Sequence, residues 1–251
     1  MIEHVEGSGA GWKGKRVLLS GSGNVAQYAA LKVIELGGVV LSLSDSKGSI
    51  VATSDKGVTP DDIAAIGELK LKHKTLNDFL GSSSDIKGRF EYHEGKRPWT
   101  LVDKADVALP SATQNEVSPE EAAALIKAGV KYIAEGSNMG CTQGAIDAFE
   151  ASRSEAKAKG DVCWYAPGKA SNAGGVAVSG LEMAQNSARI KWTREEVDGK
   201  LADIMKEAYL NCLKTGEEFG DQAALPSLVA GANIAGFKKV ADAMKAQGDF
   251  Y

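Results

Sequence analysis

The residues that could do chemistry come early and close together. Gly21-Ser22-Gly23-Asn24-Val25-Ala26 fits the pattern G-x-G-x-x-[GA], and Asp45 follows Ala26 by 19 residues. Together they are equipment for holding a dinucleotide. The first glycine permits a tight turn, and the second lets a pyrophosphate reach the backbone without meeting a Cβ. The third small position, Ala26, sets how closely a helix sits on its sheet. That helix's free N–H groups and positive dipole end then hold the anion. Asp45 stands near the spacing expected of the acid that receives the adenosine ribose hydroxyls.

Local chemistry leaves two dinucleotides open. An acid at Asp45 accepts both ribose hydroxyls and repels a 2′-phosphate, which favours NAD. Its neighbours Ser44, Ser46 and Lys47, with Ser22 in the glycine turn, offer the hydroxyls and ammonium that a phosphate dianion needs, which favours NADP.

Positioning these groups takes a βαβ unit, and the flanking sequence supplies one. Arg16-Val17-Leu18-Leu19-Ser20 is an apolar run of strand length. Val25, Ala29, Val33 and Leu36 then recur at helical spacing up to Gly37-Gly38. Val39-Val40-Leu41-Ser42-Leu43 reads as the second strand. Further on, Gly48 to Thr53 extends a strand or hairpin, and Thr59-Pro60-Asp61-Asp62 starts a helix carrying Ile63, Ile66 and Leu69. Thr75 to Leu80 reads as a short helix, and 81–98 as a polar excursion with one weak strand around Phe90.

Three more short strands are predicted around Val107, Ile133 and Trp164. They run into Ser111-Ala112-Thr113-Gln114-Asn115, Glu135-Gly136-Ser137-Asn138 and the stretch from Ala166 to Gly175 that contains Asn172. Open α/β sheets bind ligands at the carboxyl ends of their strands, so these three ends read as one cleft floor. Asn138 and Asn172 could there grip a carboxamide or ribose.

The expected fold is α/β: a doubly wound, Rossmann-like, mostly parallel sheet with helices on both faces, plus carboxyl-terminal helices. Residues 1–14 read as a lead-in or linker, 15–190 as the dinucleotide-binding domain, and 191–251 as a helical segment bridging to something else. In that segment Thr193-Arg194-Glu195-Glu196 is a capping box. The interior glycines Gly231 and Gly236 each cost a helix about 1 kcal/mol, which close packing or a bend should offset.

Composition sets the outer bounds. A chain of 251 residues with 43% hydrophobic and 25% charged residues is ordinary for a water-soluble globular protein. A net charge of −4 without a basic run argues against nucleic acid and anionic membranes as partners. No apolar run reaches membrane-spanning length, and Met1-Ile2-Glu3-His4 is unlike a secretory signal. Cys141, Cys163 and Cys212 are scattered and read as reduced thiols of a cytoplasmic protein. They share no ligand spacing with His4, His73 and His93, so no metal is expected.

Taken together the motifs resemble a known family, the NADP-dependent glutamate dehydrogenases of the hexameric bacterial and fungal type. The resemblance rests on residues 20–29 (SGSGNVAQYA), 44–48 (SDSKG), 108–116 (ALPSATQNE), 134–139 (AEGSNM), 166–175 (APGKASNAGG), 179–186 (SGLEMAQN) and 229–237 (VAGANIAGF). These run in order over nearly the whole chain. Leucine, phenylalanine and valine dehydrogenases, which use NAD, share the glycine loop and the Asn-Ala-Gly-Gly turn, but Ser22, Lys47 and Ser179 speak against them. A pure nucleotide-binding module without chemistry is the other alternative.

The resemblance implies roles residue by residue. Gly21, Ser22, Gly23, Asn24 and Val25 should cradle the pyrophosphate of NADP(H). Asp45, Ser46 and Lys47 should surround the adenosine ribose, with Ser46, Lys47 and Ser22 on the 2′-phosphate. Ala112, Thr113 and Gln114 should lie along the cofactor, and Asn138 and Asn172 near the nicotinamide ribose and carboxamide. Val176 and Ser179 match positions that complete a pocket for the substrate's distal carboxylate. Such enzymes carry a catalytic lysine and aspartate on an amino-terminal domain that nothing here matches, so no catalytic residue is assigned in this chain. The resemblance thus implies a cofactor domain that binds without turnover, from a parent homohexamer. Glutamate and 2-oxoglutarate would bind only with the other domain. Apolar surface around Leu225, Leu228 and Phe237 should be uncovered and favour weak self-association.

Overall fold

A computed structural model describes residues 1–248. The chain begins with α1 (Ile2–Glu6), β1 (Arg16–Leu19), α2 (Asn24–Glu35), β2 (Val39–Val40), β3 (Ser42–Asp45) and β4 (Gly48–Ala52). Helices α3 (Pro60–Leu71), α4 (Leu76–Leu80) and α5 (Ser84–Arg89) lead into β5 (Phe90–Glu94). Alternation resumes with β6 (Val107–Leu109), α6 (Pro119–Lys127), β7 (Tyr132–Ala134), α7 (Gln143–Glu155) and β8 (Trp164–Ala166). Helices α8 (Gly168–Ser171), α9 (Gly174–Ala188), α10 (Arg194–Phe219) and α11 (Leu228–Gln247) follow.

Five strands form an all-parallel sheet in the order β2-β1-β6-β7-β8. The chain leaves β1 toward β2 and later returns on the other side of β1 as β6. That reversal opens a crevice at the carboxyl ends of β1 and β6. Helices cover both faces, as the buried strands require. Val17 and Leu19 face a core with Ala26, Val33, Ile63 and Ile66 on one side. Leu18, Ala108 and Ile133 face Trp99, Leu125 and Phe149 on the other. The fold is the doubly wound α/β arrangement that the alternation of apolar runs implies.

One predicted strand is two. Val39–Leu43 reads as a single run, yet its backbone stays with β1 only as far as the bond from Leu41 N to the Val17 carbonyl, 2.8 Å. Beyond that point two buried serine hydroxyls continue the ladder together with one backbone bond, from Ser44 N to the Gly21 carbonyl at 3.1 Å. Ser42 Oγ lies 3.1 Å from both N and O of Leu19, and Ser44 Oγ accepts from Gly21 N at 2.8 Å. The other edge of β3 pairs antiparallel with β4, and β4 pairs with β5. The weak strand around Phe90 is thus the outer strand of a three-stranded sheet, β3-β4-β5.

The amino-terminal lead is packed. Ile2 is buried, and Glu6 accepts hydrogen bonds from Lys15 Nζ at 2.6 Å and Tyr132 OH at 2.9 Å. At the other end α10 and α11 cross closely. A Cβ on Gly231 would fall 1.9 Å from the Cys212 carbonyl oxygen, and one on Gly216 would fall 2.6 Å from that of Ser227. Backbone contact therefore explains Gly231. Nothing lies within 4 Å of a Cβ on Gly236, and the packing gives no reason for that glycine. Residues 249–251 of the segment fall outside the described residues.

The loop between α10 and α11 is fastened to the sheet by buried polar bonds. Arg153, 3% exposed, makes a two-pronged pair with Asp221 at 2.8 and 2.7 Å, donates to the Leu225 carbonyl at 2.9 Å and reaches Glu150 at 3.0 Å. Trp164 Nε1 donates to the Pro226 carbonyl at 2.8 Å. This corrects the expected apolar surface: Leu225 and Leu228 are buried in the core formed with Trp164, and only Phe237 is exposed. Among the described residues no helix is long and apolar enough to cross a membrane, and no cluster of His, Cys, Asp and Glu is arranged to hold a metal.

Two consequences follow for stability. Arg153→Ala should cost about 2 kcal/mol in urea unfolding, because it strands the buried Leu225 carbonyl and the partly buried Glu150, while Asp221, 47% exposed, is left to water. Amide exchange should rise in 220–228 before it rises in β1 or β6. Near α3, Arg89 grips Asp62 with bonds of 3.0 and 2.5 Å. Burial pushes the Asp62 carboxyl up, but hydrogen bonds from Arg89 and Thr59 outweigh it and leave it below the usual aspartate value. The stabilisation is therefore complete above the unfolded value, near pH 4, and is lost as pH falls through the lower folded value. Asp62→Asn should cost about 2 kcal/mol at neutral pH and flatten the acid limb of the stability curve.

Candidate functional site

The crevice at the β1–β6 reversal is built from the glycine turn outward. Gly21 has φ of +83°, and a Cβ there would sit 2.7 Å from the Ser111 carbonyl oxygen. The fold itself demands this glycine. Gly23 is different: its Cβ would meet nothing within 4 Å. Packing therefore does not require this glycine, and its backbone is open to the crevice. Gly23 also begins α2, which has no side-chain cap, whereas α3, α4, α6 and α10 each carry a capping box. The first N–H groups of α2 are therefore left for an anion. Gln27 steadies the turn by donating from Nε2 to the Ser22 carbonyl at 2.8 Å.

Two adjoining hollows receive most of the predicted residues. A cavity of about 740 Å³ is lined by Gly21, Ser22, Gly23, Asn24, Val25, Asp45, Ser46, Ala112 and Thr113, with Ser44, Lys70, Lys96, Arg97 and Glu116 among the others. A second, of about 430 Å³, lies beside it against Val25, Ala112, Gln114, Ser137, Asn138 and Asn172. The three strand ends thus meet in one cleft. Lys47 is exposed and belongs to neither lining. Val176 and Ser179 also stay outside, on the exposed surface of α9 that begins just past Asn172.

Asp45 lines the larger cavity with its carboxylate already engaged by the protein. Its Oδ1 accepts from the N–H groups of Lys47 and Gly48 at 2.8 and 3.2 Å, and its Oδ2 accepts from Leu76 N at 2.8 Å. The side chain is 4% exposed, and Lys70 Nζ stands 3.6 Å from Oδ2. Both oxygens are therefore spent on the β3–β4 turn and the start of α4. A carboxylate engaged in this way, with an ammonium beside it, repels a phosphate far less than a bare acid.

Lys70, Lys96 and Arg97 escaped the sequence motifs. Lys70 closes a helix whose register against β3 no local pattern reveals. Lys96-Arg97 was visible only as a basic pair in the polar stretch before Pro98. Arg97 is itself restrained, donating to the Glu116 carbonyl and, at 3.0 Å, to Glu121. Glu116 is buried and accepts from Ala112 N at 2.9 Å, which shapes the turn after β6. Burial pushes its carboxyl up, with bonds from Ser20, Ala112 and Thr113 opposing.

At the far end Asn172 Nδ2 donates to Asn138 Oδ1 at 2.7 Å and to the Ser137 carbonyl at 3.1 Å. The pairing leaves one amide oxygen, on Asn172, and one NH₂ group, on Asn138. Side by side these match the donor and acceptor of a carboxamide.

The model of the Glutamate/Leucine/Phenylalanine/Valine dehydrogenases matches residues 1–248. The chain belongs to that family. It is 62% identical over 255 residues to the NADP-specific glutamate dehydrogenase of Emericella nidulans, and 61% identical over 253 residues to that of Botryotinia fuckeliana. Each alignment takes in 100% of this chain but 55% and 54% of the relative, so the chain spans about half the length of the curated relatives it matches. Among solved structures, Plasmodium falciparum glutamate dehydrogenase 2 superposes with a TM-score of 0.85 at 38% identity, over 99% of this chain and 50% of that one.

The two glycines of the turn separate fold from ligand. Gly21→Ala should cost on the order of 2–3 kcal/mol, through the left-handed backbone and the contact with Ser111. Gly23→Ala should leave the unfolding midpoint almost unmoved while dinucleotide affinity falls by at least an order of magnitude. A thermal melt and a titration on each variant check both statements.

Proposed function

We propose that this chain is the cofactor-binding half of an NADP-dependent glutamate dehydrogenase. The carrying observation is the state of Asp45, whose oxygens are occupied by backbone N–H groups while Lys70 stands beside it. An NAD site needs that acid free for ribose hydroxyls; a 2′-phosphate site needs it neutralised. The names of the fungal relatives support the same cofactor.

In this reading the pyrophosphate lies over Gly23 on the amino end of α2, with Ser22, Asn24 and Val25 around it. Ser46 and Lys70 hold the 2′-phosphate, with Lys47 contributing charge from the exposed turn. Ala112, Thr113 and Gln114 flank the bridge toward the nicotinamide, whose carboxamide meets the Asn138–Asn172 pair. NADP, when bound, supplies the hydride acceptor; the chain's own residues orient it and shield one face.

The whole enzyme converts glutamate, NADP⁺ and water to 2-oxoglutarate, ammonium, NADPH and a proton, reversibly. Moving the amine through an imine requires general acid–base groups. The lysine and aspartate with those roles in the family match no residue here, so this chain binds cofactor without turning over. Val176 and Ser179 lie on the surface of α9 where a second domain closing over the cleft would make them part of the substrate pocket. The parent enzyme is read as a cytoplasmic homohexamer.

Calorimetric titration with NADPH and then NADH tests the reading. NADPH should bind more tightly, and Lys70→Ala should lower its affinity tenfold or more while leaving NADH nearly unchanged (about 1.4 kcal/mol for each factor of ten). Lys47→Ala should have the smaller effect. Equal affinity for both cofactors in the unmodified chain would return the site to Asp45 and overturn the NADP assignment. Glutamate-dependent NADP reduction by this chain at the rate of an intact relative would overturn the assignment of turnover to the other half.

A further inference from the structure

Glu135 sits at the carboxyl end of β7, 3% exposed, and takes no part in the cleft lining described above. Its two oxygens reach in different directions. Oε1 accepts from Cys141 N at 2.7 Å, closing the loop that carries Asn138. Oε2 accepts from Gly168 N at 2.6 Å, holding the first residue of α8, the short helix that ends at Asn172. The Glu135 carbonyl accepts from Ser171 Oγ at 2.6 Å, so the neighbour of Asn172 is tied to the same residue. A Cβ on Gly168 would fall 2.7 Å from Oε2, so the carboxylate sits where it does only because residue 168 is glycine. Tyr165 and Cys141 face it too. Burial first, then the Glu135 charge, pushes their hydroxyl and thiol pKa values up.

One buried carboxylate therefore fixes the separation of two loops from different strands, and each loop delivers one asparagine of the 2.7 Å pair. Bonds between a carboxylate and backbone N–H groups are short and directional, and a buried one has no water to substitute for it. The adenosine end of the cleft is organised independently, through Asp45, Ser44 and the glycine turn.

We infer that Glu135 is a positioning residue for the nicotinamide end of the cofactor: by clamping the loops after β7 and β8 it sets the Asn138–Asn172 pair at the spacing a carboxamide requires, without itself touching the ligand. This rests on the NADP reading above. It assigns specificity for the nicotinamide half to a residue outside the cleft, and it predicts that the two halves of the ligand can be uncoupled.

The test compares NADPH with adenosine 2′,5′-bisphosphate, which carries only the adenosine end. In Glu135→Gln an amide NH₂ must face one of the two backbone N–H groups, so one arm of the clamp is lost. NADPH affinity should fall about tenfold, while affinity for the bisphosphate stays within about twofold. The fluorescence of bound NADPH should also move toward that of the free cofactor. Ser171→Ala, which removes one hydroxyl and no charge, should narrow the ratio of the two affinities in the same direction and by less. Glu135→Asp, which keeps the charge but is one methylene too short to reach both N–H groups, should shift the ratio as Glu135→Gln does, and it decides the matter should Glu135→Gln fail to fold. An unchanged ratio in folded variants would overturn the inference, as would an equal loss of both ligands, which marks a merely structural role. Failure of the unmodified chain to prefer NADPH over NADH would instead count against the NADP reading, and leaves the ratio test readable with either cofactor.

Discussion

Everything in the cleft depends on how the chain parts from β1 at Leu41. A parallel neighbour that stayed in the sheet through residue 45 would spend its backbone groups on β1 and leave no second sheet. Here the hydroxyls of Ser42 and Ser44 satisfy Leu19 and the Gly21 N–H, and one backbone bond persists, from Ser44 N to the Gly21 carbonyl at 3.1 Å. Buried N–H and C=O groups cannot be left unpaired, so this substitution is what makes the departure affordable. Its result is geometric. Segment 42–48 hairpins away, and its tip, with Ser46, stands opposite the glycine turn across a cavity of about 740 Å³.

Buried carboxylates do the rest of the organising. Asp45, Glu116 and Glu135 are each nearly sealed from solvent, and each accepts from backbone N–H groups of a loop at a strand end. Turns at sheet ends carry N–H groups without a ladder partner, and water cannot reach them beneath a packed cleft. A carboxylate meets two or three of them at once and bonds more strongly than a neutral acceptor. The cleft is thus shaped before any ligand arrives, and binding need not carry the cost of ordering those loops.

The fold class was legible because each parallel strand is short, apolar and followed by a glycine, a capping box or an amide. The glycine turn and both asparagines could be named from sequence for the same reason: their residue types are dictated by backbone geometry and by strand-end position. Lys70 could not, since its place beside Asp45 is set by the packing of α3 and α4 on the second sheet, a long-range relation without local pattern. The split of Val39–Leu43 was hidden because a serine in a strand reads as a surface residue, and nothing in its spacing shows that its hydroxyl replaces a backbone partner. The burial of Leu225 and Leu228 was missed for a similar reason. It depends on Arg153 and Trp164, more than sixty residues upstream, capturing carbonyls of the loop.

A contrast remains between the two ends of the ligand path. The candidate cofactor cleft is floored by residues of this chain, and its loops are held by buried polar bonds. Helix α9, which follows directly from Asn172, has no buried residue at all among its fifteen, and Val176 and Met183 are each 73% exposed. A helix that uncovered gains little from tertiary packing, and its order rests on its contacts with α10 and on local bonds. On the proposed reading, cofactor recognition would be a property of this chain, whereas a substrate pocket that included Val176 and Ser179 would need a second surface laid over α9. The same arrangement would separate the tasks physically: a floor tied down by buried polar bonds for the dinucleotide, and an uncovered helix for whatever closes on it.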